Sequence, residues 1–143
     1  MRLRIRRAPQ TFYDFYIREI TPKLKEIDVF LKSSDGGIST DDAAELLHIS
    51  RDEVVCIMRK EHIKKLNSRN FIRVMLRGSS AICKYLRRET ELGSPLTYTQ
   101  DDIAYIYGLD PVDVARACVE TGINEATAFT LPSLFYHIPE HLA

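Results

Sequence analysis

Acidic, thiol and imidazole side chains are the groups in this 143-residue chain with the chemistry for catalysis or metal binding. Asp41-Asp42 and Asp101-Asp102 are paired carboxylates, the kind of group that shares a proton in general acid–base work. Cys56, Cys83 and Cys118 are candidate nucleophiles or thiolate ligands, and His48, His62, His137 and His141 are candidate proton carriers or ligands. Spacing argues against each use. The acid pairs fall in the first turn of predicted helices, where the helix dipole favours negative charge. The cysteines lie far apart in apolar helical patterns without C-x-x-C spacing, and read as buried thiols of a reducing compartment. No two histidines stand at helical ligand spacing with a third ligand close by. There is no Walker-type or G-x-G-x-x-G loop, and Gly36-Gly37 reads as a turn. The chain is therefore expected not to be an enzyme, and to need no metal, no cofactor and no small-molecule effector.

Charge is the chemistry that remains. The formal net charge is zero, but residues 1–37 carry eight Lys/Arg against five Asp/Glu, or +3, and residues 38–93 carry eleven against eight, again +3. Residues 94–143 have only Arg116 against seven acids, or −6. A phosphate polyanion is drawn to the first two segments and repelled by the third. With 45% apolar and 28% charged residues, the composition is that of a folded globular chain. The N-terminal MRLRIRRA is not followed by an apolar core suited to a signal peptide, and no apolar run approaches the roughly 18 residues of a membrane span. These features predict a cytoplasmic protein with no membrane partner.

The elements that would position these charges occur twice. Thr40–Ile63 and Gln100–Ile123 have the same pattern at an offset of sixty: an Asp-Asp pair, an apolar helix, a tight turn and a second apolar helix. Asp41 falls on Asp101, Ala44 on Ala104, Ile49 on Leu109, Val54 on Val114 and Ile63 on Ile123. Five of the twenty-three positions from 41 to 63 are identical, so the match is mainly one of residue class. The pattern predicts a mainly α chain of tandem helix-turn-helix units, the first with a small β-hairpin wing, preceded by an aromatic amphipathic helical segment. Its expected divisions are a basic arm and N-terminal helical segment (1–37), a basic first copy (38–93) and an acidic second copy (94–143).

In the N-terminal segment, Pro9 suits a helix start, and Phe12, Phe15, Tyr16, Glu19 and Ile20 recur at three- and four-residue spacing. Thr21-Pro22 allows either one kinked helix or two helices before the Ser33–Gly37 turn. The aromatic face either covers the core of the first copy or forms a partner surface. In the first copy, Ser39 or Thr40 caps the first helix, and Ser50 with Glu53 forms a Ser-x-x-Glu capping box for the second. Small Ala44 lets the two helices cross closely. Ile63–Leu76 suits a hairpin about an Asn67-Ser68-Arg69-Asn70 turn, and Gly78-Ser79-Ser80 leads into a closing helix with Ile82, Tyr85 and Leu86. In the second copy, Thr97 or Thr99 caps, Gly108 turns, and Asp110-Pro111 opens a helix apolar on nearly every side, which calls for burial. Pro132-Ser133 opens its closing helix.

The stretch ISTDDAAELLHISRDEVVCIMRKEHI resembles the helix-turn-helix of the excisionase and MerR-like DNA-binding domains of bacteria and their mobile elements. The order of elements over residues 38–92 follows the same plan. In that family the second helix enters the major groove, a two-stranded wing touches the backbone and a closing helix packs beneath. The resemblance implies that Arg51, Arg59 and Lys60 reach phosphates or base edges, and that Lys64, Lys65, Arg69, Arg73 and Arg77 clamp the backbone of duplex DNA. The chain departs from the family at Asp52 and Glu53, which bring negative charge to the start of the second helix, and at Val55 and Cys56.

The second copy resembles the same unit with its reading helix turned into a packing surface through Val112, Ala115 and Val119. The expected function is a DNA-binding transcriptional regulator or accessory factor, with the second copy making a protein contact or a homodimer. The alternative is a protein-interaction adaptor or anti-regulator on the same scaffold.

Overall fold

Cap residues decide where the first two helices of each copy begin. The computed structural model of the protein describes residues 10–33 and 37–140. The basic arm, Pro9, the Ser34-Asp35-Gly36 part of the predicted turn and His141 lie outside them. Ser39 Oγ accepts from the Asp42 N–H at 3.1 Å and starts α3 (Thr40–Leu47); Ser50 Oγ accepts from the Glu53 N–H at 3.1 Å and starts α4 (Arg51–Lys60). Sixty residues on, Thr99 accepts from Asp102 and starts α7 (Gln100–Tyr107), and Asp110 accepts from Val112 and starts α8 (Pro111–Thr121). The turns match as well. His48 and Gly108 both end the first helix in the left-handed conformation, at φ 58° and 62°, and His62 and Gly122 follow the second at 57° and 73°. Glycine adopts this geometry freely, whereas histidine must be held there by its surroundings.

Half of the expected Ser50–Glu53 capping box is absent. The Glu53 carboxylate accepts instead from the Ser79 N–H and Oγ, both at 2.7 Å, and so ties α4 to the turn that precedes the last helix of this copy. The full reciprocal box forms at Thr99 and Asp102.

The hairpin wing predicted over Ile63–Leu76 does not form. Among the described residues β structure is confined to isolated bridges, here Gly37 to Asn67. Asn67 Oδ1 accepts from the N–H groups of Arg69 and Asn70, and Asn70 Oδ1 accepts from the Asn67 N–H. These bonds close the turn that leads into a helix, and the chain enters α5 (Phe71–Met75). Burial follows the helical period: Phe71, Val74 and Met75 are inside, while Ile72 and Arg73 are outside. The second copy repeats this. Tyr98 and Ala126 exchange backbone bonds of 2.7 and 3.0 Å, Thr127 and Thr130 take the places of the two asparagines, and α9 (Leu131–Phe135) follows. The correspondence therefore runs without insertion from Ile38–Gly78 to Tyr98–Ile138.

The chain is mainly helical and forms two compact units. One runs from Ile20 to Pro95. It contains α2 (Thr21–Lys32), the first copy and α6 (Ala81–Glu91), with Leu47, Val54, Leu66, Phe71, Val74 and Cys83 in its core. Ser80 caps α6 and also donates its Oγ–H to the Leu47 carbonyl at 2.6 Å. Among the described residues, the other unit joins residues 10–19 with residues 96–140. Its core includes Ile103, Ile106, Val114, Leu134, Phe135 and Ile138.

Residues 12–32 are helical throughout, as α1 (Phe12–Phe15), a π turn (Tyr16–Ile20) and α2. The aromatic part does not cover the first copy. Phe12 and Tyr16 stack on Tyr107 and Phe135 of the second copy, while Phe30 of α2 meets Phe71 of the first at 5.0 Å.

Cys56 is exposed, contrary to the expectation of three buried thiols, because it lies on the outer face of α4. Cys83 and Cys118 are buried, and burial pushes both thiols above their ordinary pKa. A thiol reagent applied to the native protein at neutral pH is expected to label Cys56 first, with Cys83 and Cys118 reacting only on unfolding. Equal rates at all three, followed by peptide mapping, would contradict this arrangement.

Candidate functional site

Four basic residues of the first copy meet where α4, α5 and α6 converge. Lys60 ends α4, and Glu61 follows as its C-cap. Arg73 and Arg77 are four positions apart across the end of α5, so their side chains lie next to each other. The Glu61 carboxylate bridges them: Arg73 Nε is 3.4 Å from Oε1 and Arg77 Nε is 3.2 Å from Oε2. Arg73 Nη2 also donates to the Glu61 carbonyl at 2.7 Å. With its side chain 18% exposed, Glu61 holds both arginines more firmly than a fully solvated partner would.

Arg87 reaches back from α6 and donates through Nη1 to the carbonyls of Leu76 and Gly78, each at 3.2 Å. Those carbonyls lie just beyond α5, where the helix no longer supplies partners. Together Ile57, Lys60, Glu61, Arg73, Leu76, Arg77 and Arg87 line a groove of about 580 Å³.

The structure thus gathers Lys60, Arg73 and Arg77 of the predicted basic set and leaves the others apart. Arg51 stands at the opposite end of α4, roughly 13 Å away along the helix axis at 1.5 Å per residue. There its Nε lies 3.4 Å from Asp41 Oδ1 and donates to Thr40 Oγ1 at 3.4 Å. Arg59 is exposed on α4, and Lys64, Lys65 and Arg69 are exposed on the segment between α4 and α5. Arg87 was outside the predicted set. Its only local sign was the Gly78-Ser79-Ser80 reversal, which turns α6 back toward the end of α5.

The second copy puts different groups at the same scaffold positions. Arg59 corresponds to Val119, Lys60 to Glu120, Arg69 to Phe129, Arg73 to Ser133 and Arg77 to His137. Glu120 and His137 lie 2.8 Å apart, so the positions of Lys60 and Arg77 are filled by a pair that satisfies itself. Of the predicted partner-binding residues, Val112 and Val119 are 65% and 83% exposed and Ala115 is half-buried; nearby in sequence Phe129 is 94% exposed. Burial of α8 falls on Asp113, Val114, Ala117 and Cys118. Among the described residues, no helix is long and apolar enough to cross a membrane, and no cluster of His, Cys, Asp or Glu is placed to hold a metal ion. No family model, curated protein or solved structure matches this chain.

Proposed function

We propose that the protein is a DNA-binding regulator or accessory factor, in which α3 and α4 of the first copy act as a helix-turn-helix docking on duplex DNA and the second copy makes a protein contact. The observation that supports this reading is the divergence of one scaffold used twice. Caps, turns and buried positions recur at an offset of sixty, whereas the outer positions carry Arg and Lys in the first copy and Val, Phe, Ser and acids in the second. A scaffold needs its buried positions for stability and leaves its outer ones to be set by what they touch. Exposed cations around α4 suit phosphates, and exposed valines with Phe129 on an acidic background suit a protein surface.

Duplex binding measured by fluorescence anisotropy on sequences from a random-oligonucleotide selection tests the reading. Affinity is expected to fall steeply with salt, and Arg59→Ala combined with Arg73→Ala should lower the slope of log K against log salt by about 2, near 0.9 per lost phosphate contact. Absent or salt-insensitive binding would overturn it. That outcome would favour the second reading, a protein-interaction adaptor, to which the exposure of Val112, Val119 and Phe129 already points.

A further inference from the structure

The groove between α4, α5 and α6 has features that docking on a DNA backbone does not require. Duplex phosphates are spread along a convex surface at one charge per about 1.7 Å of axis, and exposed flexible cations suffice to meet them. Here the cations line a concavity, and three of them already have partners in the chain. Arg73 is tied to the Glu61 carbonyl and carboxylate, Arg77 to the other carboxylate oxygen, and Arg87 to two backbone carbonyls. Each guanidinium has five N–H donors, so these contacts leave further donors for a ligand.

We propose that this groove binds the phosphate end of a small phosphorylated molecule, a phosphomonoester or a diphosphate. Three guanidinium groups and Lys60 outweigh the single Glu61, the charge balance suited to a compact dianion. Arg73 and Arg87 are already hydrogen-bonded to backbone carbonyls, so a ligand orders them at less cost in side-chain freedom than it would unpartnered arginines. Ile57 and Leu76 supply apolar wall, and about 580 Å³ leaves room beyond the phosphate for the rest of a small molecule. The scaffold does not demand the cluster, since the second copy keeps its helices with Glu120, Ser133 and His137 at the positions of Lys60, Arg73 and Arg77. Ligand binding stands whether or not the first copy docks on DNA. Where it does, ligand and duplex compete for Arg73 and Arg77.

The test is a titration of the ¹⁵N-labelled full chain with inorganic pyrophosphate at physiological salt, following the arginine Nε–Hε resonances. Saturable shifts are expected at Arg73, Arg77 and Arg87 and not at Arg51 or Arg59. Arg73→Gln with Arg77→Gln should weaken binding at least about tenfold, the scale of losing charge-assisted bonds, whereas Arg51→Gln should change it less than about twofold. Shifts that grow linearly and alike at every arginine would overturn the proposal, as would equal affinities for the Arg73/Arg77 and Arg51 variants when all melt like the parent chain. A parallel duplex titration separates the two readings. Saturable pyrophosphate binding without duplex binding upholds the groove and removes the DNA role. Duplex binding without these pyrophosphate shifts does the reverse.

Discussion

Phe135→Ala is expected to destabilise the unit that contains the second copy by about 3–5 kcal/mol, the range for emptying a buried aromatic site. Phe135 is fully buried, and its ring lies 4.8 Å from Phe12, 4.9 Å from Tyr107 and 5.0 Å from Tyr16. The contacts to Phe12 and Tyr107 are edge-to-face, a geometry that adds to the energy of burial alone. At roughly 0.05–0.15 kcal/mol per residue, a unit of this size has only about 3–10 kcal/mol in total, so the loss brings it close to unfolding. Hydrogen exchange read by mass spectrometry checks the prediction by location. Peptides from α7, α8 and α9 should exchange at least about a hundredfold faster, while those from α3, α4 and α5 should keep their protection. Equal acceleration across both units would show that they unfold as one.

The second large effect is expected at Gly78. This residue is buried and does not need glycine for its backbone angles; it needs glycine for space. An added Cβ would run into Cys83 Sγ, with Cys83 Cβ at 3.1 Å and Ile49 Cδ1 at 3.6 Å. The neighbours have little room to yield, since Cys83 is fully buried and Ser80, between the two, is tied to Leu47. Gly78→Ala should therefore cost about 1–3 kcal/mol in chemical denaturation, the range for overpacking a core. In a Cys83→Ala background most of that cost should disappear, because the obstructing sulfur is gone. A cycle in which the two substitutions simply add would refute the clash.

The first two helices of each copy were legible because their signals are local. Ser39, Ser50, Thr99 and Asp110 each sit within three residues of the donor they cap, and the spacing of Ala44, Leu47, Val54 and Ile57 marks the buried side within one or two turns. The segment Phe71–Met75 was misread for the converse reason. Its β-branched and aromatic residues suit a strand in isolation, but Asn67 and Asn70 close a turn that leads into a helix, and the core accepts side chains at intervals of three and four. Propensity yielded to the turn and to burial. The aromatic stripe at Phe12 and Tyr16 was likewise visible, whereas its destination was not. Tyr107 and Phe135 lie about a hundred residues further on, and nothing in a spacing pattern names a partner at that distance.

For the candidate site the same distinction holds. The residue types and the offset of sixty by themselves determined that one scaffold is used twice, where its first two helices begin, and that the basic outer positions of the first copy have no basic counterparts in the second. Capping and helical periodicity are short-range, and charge is carried by each residue alone. Only the tertiary structure decided that Arg73 and Arg77 share Glu61, that Arg87 joins them, that Arg51 stands apart, and that the segment after α4 closes with a helix instead of a wing. Those outcomes depend on which segments the core brings together, and burial energy is summed over contacts between residues far apart in the chain.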